Sequence, residues 1–144
     1  MNKYKSFNVN DTEKIAEEFA KTLSENEVLA MFGTLGMGKT AFVRGLAKGL
    51  GNTSEISSPT FAIVHDYGGT PHLYHFDMYR ISTWDDLYST GFFDYLDMGG
   101  ILVVEWSENI ENVLPDRYTK IVFERTNNDN ERIITIYSPE EVNI

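Results

Sequence analysis

No cysteine occurs anywhere in the 144 residues. That rules out a disulfide framework and any thiolate metal site. No apolar run is long enough to cross a bilayer. The opening residues, MNKYKSFNVN, have no apolar segment of the signal-peptide kind. Together these features predict a cytoplasmic protein. Cations are scarce: 12 Lys and Arg stand against 22 Asp and Glu, a net charge of -10. Gripping a nucleic-acid backbone needs clustered cations, so direct binding of that kind is disfavoured. The acids instead predict a solvated surface, or one that steers a basic protein partner. There are only five arginines, spread from Arg44 to Arg132. A small-molecule kinase usually needs several in its acceptor pocket, together with a lid for which there is little length. The N-K-x-D element that reads guanine is missing. The two D-x-x-G matches, Asp66 to Gly69 and Asp97 to Gly100, are coincidences in turn-prone sequence. No repeat, linker or low-complexity tract interrupts the chain, and its length predicts a single domain over 1–144.

The stretch around which the rest is organised runs from Val28 to Gly51. Val28 to Phe32 is a continuous apolar run, as in a strand buried on both faces. Gly33-Thr34-Leu35-Gly36-Met37-Gly38-Lys39-Thr40 then fits G-x-x-x-x-G-K-S/T at every fixed position. Phe42, Val43, Leu46, Ala47 and Leu50 follow at helical spacing, and Gly49 and Gly51 stand where a helix stops. In such a phosphate loop the glycines let backbone N–H groups point at phosphate oxygens. The following helix aims its positive end at the same place. The expected binding residues are Gly33, Leu35, Gly36, Met37, Gly38, Lys39 and Thr40. Lys39 would reach the β- and γ-phosphates and the Thr40 hydroxyl would bind Mg²⁺. The plainer alternative is a Gly-rich turn in an ordinary strand–helix unit.

Before this unit, Lys3 to Val9 reads as an edge strand. Asn10 to Glu13 has capping-box spacing, and Ile15, Ala16, Phe19, Ala20 and Leu23 make a helical apolar face. After it, Asn52 to Pro59 reads as a loop. Phe61 to Tyr67 and His72 to Tyr79 flank Gly68-Gly69-Thr70-Pro71, a hairpin signal that makes the sheet mixed. Thr83 caps a short helix ending at Gly91, and Phe92 to Leu96 adds a turn. Ile101 to Val104 is a second buried strand. Ser107 to Leu114 forms a short helix that stops before Pro115. A second hairpin joins Tyr118 to Arg125 with Arg132 to Tyr137.

Hydrolysis needs more than a phosphate loop: an acid near the metal and a group that orients water. Such acids sit at the C-terminal ends of sheet strands. Glu105 ends ILVVE and Asp77 ends LYHFD, so both are candidates, with simple solvent-facing acids as the alternative. His72 and His75 are three apart on a strand and face opposite ways, which argues against a shared metal. His75 faces the same way as Asp77 and is expected either to orient it or to pack within the sheet. Thr60, in Ser57-Ser58-Pro59-Thr60-Phe61, lies where phosphate-loop proteins carry a γ-phosphate sensor. A Pro-turn entering the strand is equally compatible.

These segments in this order resemble the TsaE family, the bacterial ATPase component of tRNA threonylcarbamoyladenosine synthesis. The resemblance rests on the loop Gly33–Thr40, on Ser58-Pro59-Thr60-Phe61, on His75-Phe76-Asp77-Met78-Tyr79-Arg80, on Glu105-Trp106 and on Leu114-Pro115. It implies a P-loop NTPase fold of the α/β class, a mixed central sheet flanked by helices. It also implies ATP and Mg²⁺ as cofactors and ATP hydrolysis as the activity. The implied partners are the TsaD and TsaB subunits, which modify adenosine 37 of tRNAs reading ANN codons; contact with tRNA is indirect. By the resemblance Thr40 and Glu105 hold Mg²⁺, and Lys39, Asp77 and Glu105 are catalytic. Asp77 orients or activates the water, and Trp106 and Thr60 contribute to the nucleotide site. Met37, Met78 and Ser107 depart from the family's usual residues without touching a charge. The base would lie near the N-terminal segment Asn8 to Asp11. Two other functions remain open: a small-molecule kinase, and an ATP-gated binding module with negligible turnover.

Overall fold

Two apolar runs, Val28–Phe32 and Ile101–Glu105, lie side by side at the middle of one sheet and are buried along their whole length. The computed structural model describes residues 1–33, 38–52, 56 and 64–142. The strands are β1 (Asn2–Ser6), β2 (Val28–Phe32), β3 (Val64–Asp66), β4 (Leu73–Asp77), β5 (Ile101–Glu105), β6 (Thr119–Arg125) and β7 (Arg132–Tyr137). They form a seven-stranded sheet in the order β1-β7-β6-β2-β5-β4-β3. The inner strands β6, β2, β5 and β4 are parallel, and the flanking β1–β7–β6 and β3–β4 pairings are antiparallel. The sheet is therefore mixed, as both hairpin signals predicted. The described part of the first hairpin begins at Val64; residues 61–63 lie outside the described residues.

Alternation along the strands divides the core in two. Leu29, Met31, Leu73, Ile101 and Val103 face α1 (Val9–Ala20) and α2 (Lys39–Gly49), meeting Ala16, Ala20, Phe42 and Leu46. Tyr74, Phe76, Leu102 and Val104 face the other way. They are covered by Leu87 of α3 (Trp84–Ser89), Phe92 of α4 (Phe92–Tyr95) and Ile110 of a 3-10 segment (Ser107–Val113). A last turn, α5 (Pro139–Val142), follows β7. Thr83 caps α3 as expected, accepting the Asp86 N–H at 3.1 Å. No described helix is long and apolar enough to cross a membrane.

The start of α1 departs from expectation. The cap is Asn8, whose Oδ1 accepts the Asp11 N–H at 2.8 Å, while Asp11 Oδ2 accepts the Phe7 N–H at 3.0 Å. Asn8 and Asp11 have the same spacing as Asn10 and Glu13, so the local pattern alone does not separate them. Tertiary contacts do. Thr12 is buried in the first turn with its hydroxyl 2.7 Å from that of Ser6. Glu13 is turned to the Arg44 guanidinium of α2 at 2.8 Å. The edge strand also ends earlier than expected, at Ser6, because Val9 belongs to the helix.

Helices α1 and α2 approach closely because α2 carries Gly45 and Gly49 at the contact. A Cβ on Gly45 would lie 2.2 Å from the Glu13 carbonyl oxygen and 2.7 Å from Ala16 Cβ. Replacing glycine by alanine within a helix gains about 0.5–1 kcal/mol from backbone propensity, whereas overpacking costs about 1–3 kcal/mol. A carbonyl held in a helix cannot turn aside as a side chain can, so the second effect wins. Gly45→Ala is expected to lower the urea midpoint with an unchanged denaturant slope. A midpoint at or above that of the parent chain would contradict this packing.

Candidate functional site

Strands β2, β4 and β5 run parallel and end on the same edge of the sheet, and Asp77 and Glu105 are register partners at that edge. Gly33 leaves β2 there. Gly38 has a left-handed backbone, φ 88°, and α2 begins at Lys39. Leu35, Gly36, Met37 and Thr60, all expected to bind nucleotide, lie outside the described residues. Gly33, Gly38, Lys39 and Thr40 are described and stand where the strand–loop–helix reading put them, with Thr40 half-buried in the first turn of α2.

Lys39 is the hub. Its Nζ donates to the Gly33 carbonyl at 2.6 Å and lies 4.4 Å from the centroid of the Trp106 ring. Burial pushes the ammonium below its ordinary pKa, against the upward pull of Glu105, Glu108 and Asp77. Trp106 reaches this position through a left-handed backbone, φ 58° and ψ 41°, which is rare for a bulky residue. Its ring also packs on Tyr79, centroids 4.9 Å apart.

The two strand-end acids are held differently. Asp77 is half-buried, and its Oδ1 accepts the Tyr79 N–H at 2.9 Å. Glu105 is buried, and its Oε2 lies 2.5 Å from His75 Nε2. His75 therefore serves Glu105 rather than Asp77. His75 does face the same side as Asp77, but β5 lies directly beside β4 and the longer Glu105 side chain reaches back to the ring. His72 points elsewhere, to the Asp66 carboxylate at 3.0 Å in the β3–β4 hairpin. Among the described residues no group of three or more His, Asp or Glu is placed to hold a metal by itself.

Two residues of the site were not singled out from the sequence. Glu108 Oε2 accepts the Gly33 N–H at 2.8 Å, so a carboxylate tethers the first residue of the loop. Asn109 donates to the carbonyls of Met78 at 2.8 Å and Tyr79 at 3.2 Å, tying the segment after β5 to the segment after β4. The available signal was that Ser-Glu-Asn follows Glu105-Trp106 directly and so remains at the same edge. Ser107, one of the family departures, is buried and donates to the Val104 carbonyl at 2.9 Å. A cavity of about 440 Å³ opens beside Gly38. It is lined by Asn8, Val9 and Thr12, by Ala41, and by Asn130 and Arg132 across from them.

Burial raises the Asp77 pKa most, with Glu105 adding to it; the Tyr79 N–H, His75 and Lys39 oppose the rise. Between the ordinary carboxylate value and the raised one, the folded chain binds more protons at Asp77 than the unfolded chain. Stability therefore falls as pH rises through that window. Asp77→Asn keeps the acceptor for the Tyr79 N–H and removes the charge. The variant is expected to melt above the parent chain at pH 7, with the gap closing as pH drops below the ordinary carboxylate range. A variant that melts lower at pH 7 would overturn this account.

Comparison with known proteins gives a consistent answer. The family model described as threonylcarbamoyl adenosine biosynthesis protein TsaE matches residues 6–134. The TsaE protein of Bacillus subtilis (strain 168) is 40% identical over 134 residues, covering 92% of this chain and 83% of that protein. The one from Treponema pallidum (strain Nichols) is 38% identical over 126 residues, covering 88% and 93%. The crystal structure of Bacillus subtilis YdiB superposes with a TM-score of 0.77 at 36% identity, covering 96% of this chain and 85% of that one. The fold is that of a P-loop NTPase, and on the extent of these matches the chain belongs to the TsaE family.

Proposed function

We propose that this chain is a Mg²⁺-dependent ATPase acting in tRNA threonylcarbamoyladenosine biosynthesis, the process in the names of its relatives. Its role there is to support a TsaD–TsaB complex that modifies adenosine 37 of tRNAs reading ANN codons. The observation that carries the proposal is that the Lys39 ammonium, at the N-terminal end of α2, lies within electrostatic reach of the strand-end acids Asp77 and Glu105, which are register partners.

The residues fit the two cofactors. Thr40 and Glu105 offer oxygen donors, the kind a hard cation takes. Two protein ligands suit Mg²⁺, which keeps several waters and accepts phosphate oxygens for the rest. Bound there, the cation would neutralise charge on the phosphates and polarise the transferred group. Among the described residues Glu105 is engaged through Oε2 alone, by His75, which leaves Oε1 for that task. Phosphate oxygens would compete with the Gly33 carbonyl for Lys39, whose ammonium the surrounding carboxylates help to keep charged. Asp77, with its raised pKa, is a stronger base than an ordinary aspartate and would orient the attacking water. The cavity lies between Gly38 and the start of α1 and would take the nucleoside.

Low turnover by the isolated chain is expected, because phosphate-loop enzymes often complete their sites with a partner. The test is phosphate release from ATP and Mg²⁺ by the purified chain, alone and with TsaD and TsaB. The expected result is a slow rate that rises with the partners and falls about 10²-fold or more in Lys39→Ala, as for loss of a charge-stabilising donor. A rate unchanged by the partners would remove the assignment to the complex. A rate unchanged in Lys39→Ala would remove the site.

A further inference from the structure

Behind Glu105 lies a chain of hydrogen-bonding groups that the catalytic reading does not use. His75 is fully buried and both its ring nitrogens are engaged: Nε2 lies 2.5 Å from Glu105 Oε2 and Nδ1 lies 3.1 Å from the Tyr67 hydroxyl. The same hydroxyl lies 3.2 Å from Nδ1 of His65. The order of donors can be worked out from the inner end. An ionised carboxylate only accepts, so Nε2 of His75 carries the proton. In the neutral ring Nδ1 is then an acceptor, and the Tyr67 O–H donates to it. The Tyr67 oxygen in turn accepts from His65 Nδ1–H. All three bonds point toward Glu105, an arrangement in which each bond polarises the next.

The scaffold holds this chain in place. His65 and His75 are register partners across the β3–β4 pairing. Tyr67 is anchored through its backbone at both ends: its N–H donates to the Leu73 carbonyl at 3.0 Å, and its carbonyl accepts from Asn52 Nδ2 at 3.1 Å. Asn52, just after α2, thereby links the tyrosine to the element that carries Lys39.

We infer that Tyr67, backed by His65, is a positioning residue for Glu105: it fixes His75 as the Nε2–H tautomer, which pins Glu105 Oε2 and presents Oε1 to the metal. What Oε1 binds rests on the function proposed above; the tautomer does not. Removing a partner that touches a metal-ligating group directly typically costs about 10–100-fold in metal affinity; Tyr67 acts through His75, one bond further out, so its loss is expected to cost less than that.

The variant is Tyr67→Phe, which deletes only the hydroxyl. Two measurements are made on the purified chain. The first is long-range nitrogen–proton NMR of His75 without nucleotide, in the parent chain and the variant. The expected result is the Nε2–H tautomer in the parent and a mixture of tautomers in the variant. Nδ1–H in the parent would overturn the inference. The second is ADP affinity with Mg²⁺ and in EDTA. The variant is expected to lose up to about 10-fold, the lower end of what a direct partner of a ligand contributes, of the tightening that Mg²⁺ gives the parent, with its affinity in EDTA unchanged. An unchanged Mg²⁺ gain would overturn the inference whatever the tautomer, and an equal loss in both conditions would mark Tyr67 as merely structural. Should Tyr67→Phe fail to fold, His65→Phe removes the outer donor and is expected to shift both readouts in the same direction by less; no shift in either would count against the inference. A parent chain that binds no ADP under either condition would sink the nucleotide-binding function instead, and the tautomer measurement would still decide the relay.

Discussion

A buried ammonium is costly unless charge and dipoles surround it. Lys39 is buried, and the candidate site is largely the set of groups that answer that cost. The Gly33 carbonyl and the face of Trp106 contact it directly. Glu105, Glu108 and Asp77 supply negative charge. Each comes from a different part of the edge: Gly33 from the end of β2, Asp77 from β4, Glu105 from β5, and Trp106 and Glu108 from the turn that follows it. Moving β4 or β5 by one register step would turn its acid to the opposite face. The close packing of the central strands and the position of this lysine are therefore one constraint.

The same constraint explains why the site is built on parallel strands and closed off by antiparallel ones. Parallel neighbours bring their C-terminal ends to a common edge, so β2, β4 and β5 deliver their last residues together. The antiparallel hairpins at the two sides contribute differently. The β3–β4 hairpin brings His65 and Tyr67 up behind the acids. The β6–β7 hairpin brings Asn130 and Arg132 round to the mouth of the cavity beside Gly38.

What could be read from the sequence was whatever local pattern decides. The phosphate-loop spacing, the two buried runs, both hairpins and the Thr83 cap depend on residues a few positions apart. The start of α1 was misplaced because Asn8–Asp11 and Asn10–Glu13 are equivalent locally, and only the Ser6–Thr12 and Glu13–Arg44 contacts choose between them. The partner of His75 was out of reach for a stronger reason. Its ring points along the same face as Asp77, as periodicity says, but which acid it meets depends on β5 lying beside β4. Strand order is not written in either strand. Trp106 in a left-handed conformation runs against residue preference altogether; its contacts with Lys39, Tyr79 and the second core account for it.

The cavity beside Gly38 carries a consequence for how the molecule is made. One wall comes from residues 8–12 and the opposite wall from residues 130 and 132. β1 and β7 must pair to bring the walls together, and β7 is the last strand of the sheet. During synthesis the strand–loop–helix unit leaves the ribosome long before that pairing is possible. A nascent chain can thus present a phosphate-loop lysine while its cavity still lacks one wall, and that wall arrives only when β7 docks.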